Sequence, residues 1–240
     1  MRAMIFSAGL GTRLFPLTKD IPKALAPIGN TTLLAYNLNF LHSQGINSFI
    51  INTHHFSGKI EKYLKENDFF GLDVHISYEK ELLDTAGGVA NIRDLIKDEE
   101  YILLYNVDVI SNINISEFYE YHCQNKSDIT LAMRKRETSR YLLFDEDNVL
   151  QGWKNEKTQE VKICGDNEIE QKLAFSGISM LNTYTLDDIG KVEKRSLIDF
   201  YLNNCKKYKI TAYKHDKDIW HDCGTIDKLK KAESALKQVQ

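Results

Sequence analysis

Several things are scarce or missing in this 240-residue chain. It has three prolines, no Cys-x-x-Cys pair, no block of lysine and arginine, and no apolar run long enough to cross a bilayer. Each absence excludes something. Cys123, Cys164, Cys205 and Cys223 are widely spaced, which argues against zinc and against a disulfide framework. They read as free thiols, with Cys123 and Cys205 filling core positions on helices. With no spanning segment, and a β-strand starting within two residues of Met1 where a leader would be charged and then apolar, a cytoplasmic protein with no membrane partner is expected. Basic and acidic residues nearly balance, 31 against 34, so nucleic acid is not an expected partner either. Any phosphate affinity must come from a local site. No serine or cysteine sits on a nucleophile elbow, and His75, His122, His215 and His221 are isolated. His54 and His55 are adjacent on an extended segment, so they point to opposite faces, and no nearby carboxylate completes a metal set.

What is present is alternation. Strand patterns at 2–6, 48–52, 74–76, 101–105 and 129–133 are separated by helix patterns at 33–43, 57–65, 85–96 and 115–125, which implies parallel crossovers. Beyond residue 134 the pattern changes to short runs at 141–144, 149–153 and 160–163 with turn signals between them, which predicts hairpins. A strand at 173–181, a helix at 196–204, a strand at 210–213 and a closing helix at 226–239 complete the chain. The expectation is α/β: a three-layer Rossmann-like, mostly parallel sheet flanked by helices, with a small antiparallel flap at about 134–182. With 42% hydrophobic residues, the whole of 1–240 is expected to form a single domain.

The most informative stretch follows the first strand. Ala8-Gly9-Leu10-Gly11-Thr12-Arg13 sits at a strand's carboxyl end, where open α/β sheets bind ligands. Gly9 and Gly11 let the backbone approach a bulky anion, and Arg13 and Lys23 add two cations, which together make a cradle for a nucleoside triphosphate. A Walker A loop would need Gly-Lys-Ser/Thr after the second glycine, and a dinucleotide fingerprint would need a small residue at Leu14. The connection, irregular from Ala8 to about Asn30, holds all three prolines and is longer than ordinary loops, which marks it as functional.

Two further features carry chemistry. The apolar run Tyr101–Tyr105 reads as a strand buried on both faces, and it ends in Asn106-Val107-Asp108; a carboxylate at such a tip is costly to bury without a partner, for which a divalent cation is suited. Gly87-Gly88, in the first turn of the 85–96 helix, hints at a ligand held against a helix N-terminus.

The run Ala-Gly-x-Gly-Thr-Arg-Leu, then Pro22-Lys23-Ala24-Leu25, resembles the signature of the sugar-1-phosphate nucleotidyltransferases, and Asn106-Val107-Asp108, Phe175-Ser176-Gly177-Ile178-Ser179 and Trp220-His221-Asp222-Cys223-Gly224-Thr225 follow in the family's order. The resemblance implies the nucleotide-diphospho-sugar transferase fold. The implied reaction joins a nucleoside triphosphate to a sugar 1-phosphate, giving a nucleotide sugar and pyrophosphate, with Mg²⁺ held by Asp108 and Asp222. It places Arg13 and Lys23 on the phosphates, and Glu79, Thr85, Ala86 and Gly87 around the base and sugar. Asn106, Gly177 and a flap lysine, Lys154 or its competitor Lys157, would contact the sugar phosphate. A carboxylate at Glu79 suits guanine or the N3–H of uracil. Asp84 and Val107 stand where the family commonly has Gly; a β-branched residue at 107 could alter sugar packing or weaken activity. Length and the Phe-Ser-Gly-Ile-Ser strand look most like UTP-using N-acetylmuramate-1-phosphate uridylyltransferases, then mannose- or heptose-1-phosphate guanylyltransferases using GTP. A phosphocholine cytidylyltransferase and a non-catalytic nucleotide-sugar sensor are the other readings, and a monomer or small homo-oligomer is expected.

Overall fold

In chain order the elements are β1 (Arg2–Phe6), β2 (Pro27–Ile28), β3 (Thr31–Thr32), α1 (Leu33–Ser43), β4 (Ser48–Thr53), α2 (Ser57–Glu66), β5 (Asp73–Tyr78), α3 (Asp84–Asn91), β6 (Tyr101–Asn106) and β7 (Val109–Ser111). They continue as α4 (Ile115–Gln124), β8 (Ile129–Arg134), β9 (Arg140–Phe144), β10 (Leu150–Asn155), β11 (Glu160–Ile163), β12 (Gln171–Asn182), α5 (Leu197–Asn204), β13 (Ile210–Lys214), β14 (Trp220–Asp222) and α6 (Ile226–Lys237). The structure is a computed structural model that describes residues 1–237, so the expected end of the last helix at Val239 lies outside the described residues.

Ten strands form one sheet with two different halves. On one side β6, β1, β4 and β5 are neighbours and all parallel, as the crossover pattern requires. On the other, β12 runs antiparallel to β6, β8 and β9, and β10 and β11 extend the sheet as hairpins. Strand β13 pairs parallel with β8. Period-two alternation divides the core between the two faces: Ala3, Ile5, Leu103 and Tyr105 pack with α1, α2 and α4, while Met4, Ile102 and Leu104 pack with α3 and α5. This is the three-layer α/β arrangement expected. Helix α1 begins where Thr32 Oγ1 accepts from the Ala35 N–H at 3.2 Å, and it buries Leu34, Leu38 and Leu41 completely.

Four expectations need correction. The 8–30 connection is not wholly irregular: it holds 3₁₀ turns at Thr12–Leu14 and Lys23–Leu25 and the β2–β3 hairpin. Helix α3 stops at Asn91, whose side-chain amide donates to Ser77 Oγ at 2.9 Å, and the chain tightens into a 3₁₀ turn at Arg93–Leu95. The antiparallel flap is present as expected and continuous with the central sheet. Its last strand, β12, pairs with β9 over Gln171–Leu173 and then with β6 and β8, shifting register between Phe175 and Ser179. Cys164 and Cys205 are a disulfide, not free thiols, because the exit of β11 and the C-cap of α5 bring their Cα atoms to 6.2 Å. Cys123 is exposed rather than core-filling, and it is Cys223 that is buried.

Candidate active site

Asp108 and Asp222 are far apart in sequence and adjacent in the fold. Strand β7 pairs antiparallel with β14, setting Asp222 opposite Val109, and the Cys223 N–H donates to the Asp108 carbonyl at 2.7 Å. Gly224 shows how closely the side chains converge. A Cβ built there would lie 2.8 Å from Asp222 Oδ1, 2.9 Å from Arg13 Nη2 and 3.1 Å from Asp108 Oδ2. Only a residue without a side chain leaves room for that meeting, and the Gly224 N–H itself donates to Asp222 Oδ1 at 2.8 Å. Each acid has its own lysine: Lys23 pairs with Asp108 and Lys228 with Asp222. Burial pushes the Asp222 carboxyl up, but Lys228, the Gly224 N–H and Arg13 outweigh it and hold the group below the usual carboxylate range.

The glycine stretch is pinned at one end and open at the other. Gly11 has φ +65°, a left-handed position, and a Cβ there would come within 3.1 Å of Lys23 Cβ and Thr18 Cγ2. Thr18 Oγ1 donates to the Gly11 carbonyl at 2.8 Å, and Leu14 is fully buried beneath the turn. Gly9 by contrast has nothing within 4 Å of its Cβ position. Among the described residues the N–H groups of Ala8, Gly9, Leu10 and Gly11 donate to nothing, so four consecutive main-chain donors are available for an anion. Thr12 and Arg13 follow, exposed, in the first 3₁₀ turn.

Beside the acids lies a cavity of about 350 Å³, lined by Arg13, Asn106, Asp108 and Asp222 together with Arg136, Trp153, Gly177, Ile198 and Trp220. Gly177 sits at φ +77° in the register shift of β12, and a Cβ there would be 2.7 Å from Asn106 Nδ2. The glycine therefore seats Asn106 at the cavity wall. Behind it, His215 Nε2 and Ser176 Oγ are 2.6 Å apart, and Trp220 Nε1 donates to the Ser176 carbonyl at 2.9 Å.

Several expected site residues do not line this cavity and have partners within the chain. Glu79 is 1% exposed and accepts from Asn52 Nδ2 at 2.6 Å and the Leu83 N–H at 3.0 Å; burial raises its pKa, against the pull of those two donors and His54. At the start of α3, the Ala86 and Gly87 N–H groups donate to the Arg195 carbonyl, and Thr85 Oγ1 accepts from the Leu197 N–H. A Cβ on Gly87 would be 2.2 Å from the Glu193 carbonyl oxygen and one on Gly88 2.9 Å from Glu79 Oε1, so in this structure the chain itself approaches both glycines. Lys154 pairs with Glu156 at 3.2 Å on the opposite face of β10 from Trp153, and neither it nor Lys157 lines the cavity. His54 Nδ1 lies 2.9 Å from the Glu79 carbonyl, the hydrogen-bonding role expected of it.

Both departures from the family pattern have explanations. Asp84 has φ +58°, a conformation favouring glycine that aspartate tolerates better than most residues, and its Oδ1 accepts from the Thr85 N–H. Val107 is 2% exposed, and its side chain joins the core while its carbonyl accepts from Asn37 Nδ2 at 2.8 Å. It leaves the cavity surface untouched, which removes the motive for a sensor reading. Sequence reasoning missed Arg136, Lys228 and the packing role of Gly224. Arg136 is embedded in Arg134-Lys135-Arg136-Glu137, which looks like any solvated turn.

Comparisons with known proteins give the family and the fold. The nucleotidyl transferase family model matches residues 2–239. The chain is 32% identical over 227 residues to D-glycero-alpha-D-manno-heptose 1-phosphate guanylyltransferase of Campylobacter jejuni, covering 93% of this chain and 95% of that protein. It is 33% identical over 144 residues to mannose-1-phosphate guanylyltransferase catalytic subunit beta of Xenopus tropicalis, covering 59% of this chain and 40% of that longer protein. Among solved structures, HddC from Yersinia pseudotuberculosis complexed with GMP-PN superposes with a TM-score of 0.78 at 21% identity, over 98% of this chain and 99% of that one. A putative glucose-1-phosphate thymidylyltransferase from Bacillus anthracis gives 0.82 at 16% identity, over 100% and 96%. With the family model spanning nearly its whole length, this chain belongs to the nucleotidyl transferase family.

Proposed function

We propose that this protein transfers the nucleoside monophosphate unit of GTP to a heptose or mannose 1-phosphate, releasing pyrophosphate, in the cytoplasm. The observation that carries the reading is the convergence of Asp108, Asp222 and Arg13 on one point at the edge of the cavity. Two carboxylates are a donor set suited to Mg²⁺, which keeps several ligand positions for water and substrate phosphates. Bound between Asp108 and Asp222, Mg²⁺ would supply charge neutralisation that lets two phosphate-bearing reactants approach. No covalent intermediate on the protein is needed. An acceptor phosphate oxygen attacks the α-phosphorus, the α–β bridging bond breaks, and pyrophosphate carries the charge away. The free N–H groups of Ala8 to Gly11 and the Arg13 guanidinium hold the β- and γ-phosphates, where negative charge grows as the bond breaks. Lys23 would take the α-phosphoryl oxygens, a role its pairing with Asp108 supports. Asn106 and Gly177 shape the acceptor side.

The guanylyltransferase relatives favour GTP with heptose or mannose 1-phosphate over the expected pair of UTP and N-acetylmuramate 1-phosphate. The apolar cavity wall of Leu142, Trp153 and Ile198 keeps the second pair in play, because it suits an acyl substituent. A choline-binding box is less well supported: Trp220 already carries Arg136 on its ring, and Trp153 carries Lys162. A pyrophosphate-release matrix of four nucleoside triphosphates against sugar 1-phosphates and phosphocholine tests the proposal. The highest turnover is expected with GTP and heptose or mannose 1-phosphate. Nucleotide-sugar binding without pyrophosphate release from any pair would overturn it.

A further inference from the structure

A transfer between two phosphate-bearing reactants needs a cation for each. The glycine loop supplies Arg13 for the triphosphate, but the flap lysine expected for the acceptor is not in the cavity. We infer that Arg136, from the turn after β8, takes that place: its guanidinium holds the phosphate of the acceptor, and Trp220 positions it.

Four observations lead there. Arg136 lines the same cavity as Asp108 and Asp222. Its guanidinium carbon lies 4.6 Å from the centre of the Trp220 ring, a cation–π stack that fixes the plane of the fork. Trp220 and Asp222 are two residues apart on β14, so their side chains share a face, and the stacked guanidinium is thereby carried to the side of the strand that holds the second acid. Nη2 donates to the carbonyl of Phe175, the first residue of the cavity-lining stretch Phe175-Ser176-Gly177, at 3.1 Å, so the arginine is braced against the bend of β12.

A further observation is a guanidinium with no carboxylate in ion-pair contact. Arg136 Nε is buried with no hydrogen-bond partner, and among the described residues no carboxylate forms an ion pair with this guanidinium. Asp222 attracts Arg136 without forming an ion pair with it and is matched by Lys228, as Asp108 is by Lys23. A desolvated cation with an unmet donor is costly unless an anion arrives, and a phosphate fits a guanidinium fork in two-point contact. Lys154 differs in every respect: it is paired with Glu156, and Glu156 also binds Lys172 at 2.9 Å. Its charge is already spent on the flap surface.

The inference rests on the transferase reading, and its test separates the two. Calorimetric titration with mannose 1-phosphate, and with unphosphorylated mannose as control, is run on the wild type, Arg136→Gln, Arg136→Lys and Lys154→Gln. Steady-state kinetics follow with the best nucleotide and sugar 1-phosphate pair. Arg136→Gln is expected to weaken mannose 1-phosphate binding and raise the acceptor KM by about 10- to 100-fold, with the nucleotide KM within about twofold of wild type. Arg136→Lys restores part of the loss, because it returns the charge without the fork. Lys154→Gln leaves every parameter within about twofold. Unchanged melting temperature and nucleotide binding show that Arg136→Gln has folded. Equal binding by wild type and Arg136→Gln, or an acceptor defect in Lys154→Gln alone, overturns the assignment. Weaker phosphosugar binding in Arg136→Gln, in a wild type that releases no pyrophosphate, would overturn the transferase reading and keep the anion site.

Discussion

The two halves of the sheet serve the site by different means. In the parallel half the working residues lie just past strand ends: Ala8 to Arg13 follow β1, and Asp108 follows β6. In the antiparallel half Arg136 also follows a strand end, that of β8, but its place in the site depends on a neighbouring strand. There a long strand, β12, shifts register between Phe175 and Ser179, and the bend offers Gly177 and braces an arginine that belongs to another turn. Parallel strands place chemistry by topology alone, because their carboxyl ends all open on one crevice. Antiparallel strands place it by register, which depends on which residues happen to face each other across the sheet.

That contrast can be broken or sharpened by substitution. The largest effects belong to the parallel half. Arg13→Ala or Lys23→Ala should each lower turnover by about a hundredfold or more, as losing one preorganised charge stabiliser does elsewhere. Single-turnover pyrophosphate release measures this, and a loss under tenfold would show that the loop positions nucleotide without aiding the chemistry. On the antiparallel side Gly177→Ala adds a Cβ at φ +77° against Asn106, so about 1–2 kcal/mol of stability is lost in urea melts and acceptor use suffers before nucleotide binding does. Unaltered stability and acceptor KM would mean that the bend accommodates a side chain freely.

A smaller effect is pH-dependent. Burial, with the charge of Arg134 beside it, pushes the His215 imidazole down to about 4, while Asp216 pulls the other way. The unfolded chain takes up that proton near the ordinary value of 6.5, before the folded one does. Stability from this group is therefore complete above pH 6.5 and falls as pH drops toward 4, by on the order of 3 kcal/mol in all. His215→Gln should flatten that slope in denaturant titrations at several pH values, whereas a slope like that of the wild type would assign it to other groups. The smallest effect is the near-silence of Lys154→Gln.

How much of this was legible in the sequence follows the same division. Periodicity located α1 to the residue, because Leu34, Leu38 and Leu41 mark one face and Thr32 supplies a cap oxygen. The glycine loop and Asp108 were legible because each follows an apolar strand. Asp222 could be placed only by resemblance, since β7 is three residues long and its pairing with β14 leaves no periodic trace. Arg136 and the Cys164–Cys205 link were invisible for a shared reason: both depend on where a flap strand lands, and residues 41 apart carry no spacing signal. Glu79 and Gly87 contact the chain itself in this structure, because glycine and a buried carboxylate mark close approach without saying whether a ligand or the chain does the approaching.

The central claim is that Asp108 and Asp222 act as one unit. Turnover measured across a Mg²⁺ titration for Asp108→Asn, Asp222→Asn and the double variant tests it directly. Each single variant should lose about a hundredfold or more and require more Mg²⁺, and the double should be hardly worse than the poorer single, as residues sharing one ion behave. Near-normal turnover in either single variant, or losses that multiply in the double, would show that the two acids work apart.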